Sequence, residues 1–536
     1  MYTDHSASLS KRHLSAMAGV FLSRCSGLLR TIIINALLGA GIHLDAFNAA
    51  FRFPNSLRDL FADGALSAAF IRTLVEVKRQ GLVAERELIG IVLGFFITLT
   101  MILACFCVYF APYLIEWISN VRFTADGGEA LTVHLFQILI FYLPLTMLNA
   151  IIMAMLGVEG DTFRAMNGAI FLSIGMVGGV LVSMALNQID AVWGLALGAM
   201  AGAFLQLLYQ SWPFLRTKRL PLPCFNPWAW HRYQPLRQIL WLMLPRTLGQ
   251  GASTLALMVN TFFALQIGSG AMTYVATTMI IIQVPIGLFG VATGFAALPV
   301  LTETLQEGNL KGFSTLLIQS LETSGWLALF TSLSLSLFFL PFYIVLFQHG
   351  AIHFQDSLMN CIAISAFSTG IFFGACSKVL LNTLYAINAT RLIVVNSFFY
   401  LLFSTVLSYL LTPRYALLGL GLAFGLSSAA NFWLNYGFIY VVFLKNYGHS
   451  PYISGGKYHT FLYLLFSFIV IVAGIVGAYM LPHCWAHWLW IQGFFHALIL
   501  SGIIAFSLLG LFIGLTLWQG PASLSRMLRK SLRLRM

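Results

Sequence analysis

Six basic residues, Arg24, Arg30, Arg52, Arg58, Arg246 and Lys378, lie within long apolar stretches. A central arginine or lysine in a membrane helix costs about 2.5–3.5 kcal/mol, so six facing lipid would cost on the order of 15–20 kcal/mol. Snorkelling relieves those near span ends, Arg246 just after Pro245 among them. The rest must face a cavity or a partner. Arg24 and Arg30 are six residues apart, about 9 Å along a helix and roughly 120° around it, so both can line one broad cavity. Arg52 and Arg58 repeat that spacing around Pro54, where the helix is expected to end or kink. The acids nearby are Asp45, Asp59 and Asp63, the last two one turn apart on one face. Internal Arg–Asp bridges could account for single residues, but four cations outnumber three acids. A positive surplus suits an anionic substrate, and arginine grips phosphate through two donors. A phosphorylated lipid or a nucleotide sugar fits; a cationic drug does not.

The elements holding these residues follow from composition. Of 536 residues, 59% are hydrophobic and 9% charged, with a mean hydropathy of +0.86. Soluble domains carry about 25% charged residues, which excludes a soluble enzyme, a secreted domain or a disordered chain. Apolar runs of helical length predict an all-α polytopic protein with about fourteen spans. They fall near 14–38, 45–74, 88–115, 131–157, 163–186, 190–212, 237–266, 271–300, 313–346, 357–387, 391–412, 415–443, 458–481 and 490–518. With both termini cytoplasmic, the outer loops hold only Arg122 and Arg414, while inner segments collect Arg216, Lys218, Arg219, Arg232 and Arg237 and the tail adds Arg526, Arg529, Lys530, Arg533 and Arg535. The net charge of +12 thus reflects topology rather than nucleic-acid binding. Lys11 and Arg12 precede a run that carries Arg24 and Arg30 without a cleavage site, which reads as a retained first span.

Neither the seven cysteines nor the twelve histidines, including His349 and His353 in an outer turn, show metal-ligand spacing. No phosphate loop appears, so no metal or cofactor is expected. The proline-rich, basic and aromatic stretch 213–236 divides an N-terminal lobe (1–212) from a C-terminal lobe (237–443). A cytoplasmic loop (444–457), two further spans (458–518) and a basic tail (519–536) follow. FPNSLRDLFADGALSAAFIRTL (53–74) is similar to VPIGLFGVATGFAALPVLTETL (284–305), a weak internal repeat. Two six-span copies share one orientation, related by an axis along the membrane normal, which is a transporter architecture.

LSRCSGLLR (22–30), LDAFNAAFRFPNSLRDLFADGALSAAF (44–70), GVATGFAALPVL (290–301) and LFQHG (346–350) resemble motifs of the MurJ (MviN) lipid II flippases of the MOP exporter superfamily. The likeness runs over spans 1 to 12, and the second motif is the most specific. It implies cavity arginines at Arg24, Arg30 and Arg58, with the acid of the family's TDAF motif at Asp45. A lysine of the family is Arg52 here, and a glutamate is Asp63. Lys378 matches a basic position of span 10. Span 8 departs from the family's Asp-Arg-x-x-Glu run, with Met279, Ile280 and Gln283 before Pro285. Thr273 and Gln283 remain as polar ligands, with Arg246 or Lys378 as substitutes.

The resemblance implies transport of lipid II, or a similar anionic polyprenyl-pyrophosphate glycolipid, across a bacterial inner membrane by alternating access. The arginines would hold the pyrophosphate, and the lipid tail would follow a groove at spans 13 and 14. Cell-wall synthesis proteins are implied as partners. Two alternatives stay open: an exporter of an O-antigen or teichoic precursor, and a membrane enzyme acting on polyprenyl phosphates. Enzyme chemistry would have only Asp59 and Asp63 as paired carboxylates.

Overall fold

A backbone crossing lipid must satisfy its own N–H and C=O groups, which leaves helices as the solution for apolar runs of this length. The computed structural model describes residues 19, 22–61, 66–119, 121–186, 190–217, 219–448, 456–480, 486–519, 521 and 524–525, and these form helices and turns with no strand among them. In chain order the helices are α1 (22–38), α2 (Ile42–Phe61), α3 (Ser67–Lys78), α4 (Leu82–Ile118), α5 (Val121–Ala125), α6 (Gly128–Leu139), α7 (Tyr142–Glu159), α8 (Thr162–Asn167), α9 (Ile170–Leu186) and α10 (Ala191–Arg216). After α11 (Pro227–Arg232) come α12 (Gln234–Ile267), α13 (Ala271–Pro285), a π-helical turn (Ile286–Val291), α14 (Ala292–Gln306), α15 (Leu310–Phe347), α16 (Phe354–Ala386), α17 (Thr390–Tyr447), α18 (Gly456–Met480) and α19 (Ala486–Gln519).

Among the described residues, nine helical stretches are long and apolar enough to cross a membrane, and shorter apolar helices accompany them. The protein is a multi-pass membrane protein. α17 alone covers two of the expected spans, joined at Ala416, whose φ of 48° breaks the helix. Pro54 lies inside α2, which continues to Phe61, so the helix does not end there. A proline removes only one helical hydrogen bond, and the flanking turns keep the rest.

By contacts the chain divides inside α12. One unit takes the described residues up to Thr254 together with Gly268–Met272; the other takes Leu255–Ile267 and the residues from Thr273 onward. The linker between α10 and α12 therefore packs with the first unit.

In the first unit, α9 and α10 meet through glycines. A Cβ on Gly179 would stand 2.1 Å from the Gly194 carbonyl oxygen, and one on Gly198 2.3 Å from that of Gly175. Only hydrogen side chains permit this backbone-to-backbone approach, which replaces the missing hydrophobic drive between helices in lipid. A second core joins α3, α4 and α7 through Phe70, Leu88, Phe96, Ile151 and Met155.

In the second unit α16 is central, with 78% of its apolar window buried against 6% for Gly493–Trp518. Buried hydroxyls tie it to α15. Ser332 Oγ donates to the Ser368 carbonyl at 2.6 Å, and Ser365 Oγ to that of Ser336 at 2.7 Å. Gly474 and Gly477 of α18 fit against Thr369 and the Ser336 carbonyl. At one end of α16, Asp356 accepts from Tyr274 Oη at 2.7 Å and from the His353 N–H at 2.9 Å.

Candidate substrate-binding site

α1 carries Arg24 and Arg30, α2 carries Arg52 and Arg58, and α7 supplies Tyr142, which Arg58 meets. Arg58, half-buried in the last turn of α2, donates through Nη2 and Nε to Asp59 Oδ1 at 2.7 and 3.2 Å. Its Nη1 donates to Tyr142 Oη at 3.2 Å. Tyr142 opens α7 and is buried, its ring 5.2 Å from that of Phe51. Arg30 lies within electrostatic range of both Tyr142 and Arg58, and its Nη1 stands 3.6 Å from Met176 Sδ on α9. Arg52 is in range of Asp59, while its buried Nε has no hydrogen-bond partner among the described residues. Arg24 is exposed.

Among the described residues, Asp59 is the carboxylate within ion-pair distance of this group. Arg58 therefore has its charge paired with Asp59, while the buried Arg52 Nε has no hydrogen-bond partner among the described residues.

Asp45, a further acid expected at the site, is buried near the start of α2 and accepts the Gly270 N–H at 2.5 Å. Its carboxylate thereby fastens the turn after α12 within the first unit. Asp45→Ala would leave a buried N–H unpaired, at about 1–3 kcal/mol. Asp45→Asn keeps an acceptor and should lose less. Thermal unfolding in detergent checks this; an alanine variant melting with the parent would remove the fastening role.

In the second unit Lys378 is exposed although its neighbours Ser377 and Val379 are buried on α16. It makes no ion pair among the described residues. Thr273 is buried and Gln283 exposed; ten residues apart on α13, they stand about 15 Å apart along its axis and do not share one contact point. Met279 is buried and Ile280 half-buried. Arg246 belongs to α12, but its side chain and the whole of Asp63 lie outside the described residues.

Sequence reasoning missed Tyr142. A tyrosine two residues before Pro144 in an apolar run was a usable signal, since a buried phenol requires a partner. The Gly270 N–H carries no side-chain signal at all.

A profile of the family described as lipid II flippase MurJ matches residues 34–500. The chain is 29% identical over 434 residues to the probable lipid II flippase MurJ of Buchnera aphidicola subsp. Acyrthosiphon pisum (strain APS), covering 80% of this chain and 83% of that relative. It is 26% identical over 422 residues to the lipid II flippase MurJ of Burkholderia cenocepacia, covering 78% and 82%. The fold is similar to a solved lipid II flippase MurJ in an inward closed conformation, with a TM-score of 0.66 at 18% identity over 88% of this chain and 98% of that one. An inward-facing MATE transporter of the MOP superfamily matches with a TM-score of 0.58 at 14% identity, over 82% and 96%. With the profile spanning most of its length, the chain belongs to the MurJ family of flippases, which are transporters rather than enzymes.

Proposed function

We propose that this protein moves lipid II from the inner to the outer leaflet of a bacterial inner membrane by alternating access, with both termini cytoplasmic. Arg24, Arg30, Arg52 and Arg58 hold the pyrophosphate. Asp45 and Asp63 set the local charge, and Thr273, Gln283, Lys378 and Arg246 add contacts from the remaining helices. The observation that carries this reading is that Arg58 bridges Asp59 and Tyr142 inside the apolar first unit, with the arginine-bearing helix α1 packed against α9 through Arg30 and Met176. A guanidinium can hold a diphosphate in two-donor geometry. Family membership supports the choice of lipid II among anionic lipids.

A potential negative inside favours outward movement of an anion, by about 2.3 kcal/mol per elementary charge per 100 mV. Cell-wall synthesis proteins that use the flipped lipid are the expected partners.

The buried Met279 and half-buried Ile280 in α13 favour a second reading, in which another anionic polyprenyl-linked glycolipid is carried. One experiment separates the two. A bacterial host is depleted of its own lipid II flippase while this chain is expressed. Restored growth and wall synthesis are expected; failure despite normal membrane insertion would point to the other glycolipid.

A further inference from the structure

The stretch between α10 and α12 is more than a tether. Residues 213–236 carry Arg216, Lys218, Arg219 and Arg232 and no acid. Beyond α10 the chain turns back and lies along α4. Cys224 N donates to the Gly90 carbonyl at 2.8 Å, and the Cys224 carbonyl accepts Trp230 Nε1 at 2.8 Å. A Cβ on Gly94 would stand 1.9 Å from the Cys224 oxygen, so a glycine notch admits this backbone. Trp230 also meets Phe95 edge-on at 5.7 Å.

The depth of this contact follows from α4. Its first charged cluster ends at Glu87, and from Leu88 no charged residue follows until Glu116. Gly90 and Gly94 lie about 3–9 Å further along the axis. The docked segment therefore sits where headgroups give way to acyl chains. Its inward side chains, Leu220, Cys224 and Trp230, join the core around α4 and α7. Its outward ones are strongly exposed, with Leu222 at 90%, Phe225 at 59% and Trp228 at 73%. Water would be a poor solvent for that set, whereas a membrane interface favours aromatic rings and leucine together.

The charge fringe identifies the headgroup. Arg216 and Arg232 are exposed; Arg219 is exposed as well and pairs with Glu159 at 2.9 Å. The acids at the start of α4 are Glu85 and Glu87; Tyr233 lies beside Glu87, and burial together with that carboxylate pushes its phenol up from its ordinary value. The fringe remains positive, which suits phosphates without a compensating ammonium.

We propose that residues 219–232, together with Arg216, form an interfacial anchor selective for anionic phospholipid, in which Leu222, Phe225 and Trp228 enter the leaflet and Arg216, Arg219 and Arg232 meet headgroup phosphates. The anchor does not depend on which lipid is transported. Basic residues near a membrane surface each favour anionic lipid about five-fold, and salt screens the effect.

The test uses the full chain in vesicles of phosphatidylcholine with added phosphatidylglycerol, one of the two lipids brominated at a time. The quenched fluorescence that disappears in Trp228→Phe reports this segment. Brominated phosphatidylglycerol should quench that component several-fold more effectively than brominated phosphatidylcholine at equal fraction. The preference should vanish in the triple variant Arg216→Gln, Arg219→Gln and Arg232→Gln, and shrink at high salt. Equal quenching by both lipids in the parent overturns the headgroup selectivity. No quenching of the Trp228 component by either lipid overturns the anchor and leaves a protein partner as the occupant. Circular dichroism and gel filtration establish that each variant is folded.

Discussion

Arg58→Ala is expected to abolish rescue of a flippase-depleted host while the protein accumulates normally. Arg58 is engaged on two sides, by Asp59 at 2.7 Å and by Tyr142 at 3.2 Å, and under the proposed function its guanidinium also grips the pyrophosphate. Deleting it removes charge-assisted hydrogen bonds of about 1.5–3 kcal/mol each. It also takes from Asp59 the guanidinium that it binds directly, so the carboxylate's repulsion of an anion adds to the loss. The combined effect is at least ten- to a hundredfold on transport.

Arg58→Lys separates charge from geometry. An ammonium is a point donor and cannot bridge a carboxylate and a phenol as a planar fork does, so partial rescue is expected. Tyr142→Phe removes one neutral partner and should reduce transport only about two- to tenfold. Rescue in depletion strains, normalised to membrane protein level, reads all three. Full activity of Arg58→Ala would place the substrate elsewhere.

The second large effect concerns assembly. Gly179→Val should greatly reduce folded protein, because its Cβ would lie 2.1 Å from the Gly194 carbonyl oxygen. Both atoms belong to helical backbone, so no rotamer change relieves the clash; α9 and α10 must separate along their length. Overpacking costs about 1–3 kcal/mol where side chains can shift, and here they cannot. Gly178 is the internal control, since a Cβ there meets nothing within 4 Å. Gly178→Val should unfold near the parent temperature in detergent. Similar behaviour of the two valine variants would show that the glycine contact does not hold the pair.

The all-helical membrane fold was legible because lipid imposes one rule on every span, and among the described residues nine helical stretches are long and apolar enough to cross. Less legible was where helices stop. Pro54 reads as an end or a kink, and α2 does not end there; a single lost hydrogen bond is outweighed when both sides pack. The seat of the proline-rich linker was not legible either: glycines in α4 receive its backbone, and those glycines look like any others in an apolar run.

The amino-acid order determined that this chain lives in a membrane, that it carries more cations than acids in its first two spans, and that its motifs are those of the MurJ family. These are properties of composition and of spacing along one helix, and they survive without knowing any neighbour. Tertiary structure decided that Arg58 reaches Tyr142, that Asp45 closes on the Gly270 N–H, and that Lys378 emerges exposed from an otherwise buried turn. A helical period fixes which residues share a face but not the face they meet, because that depends on how two backbones can approach.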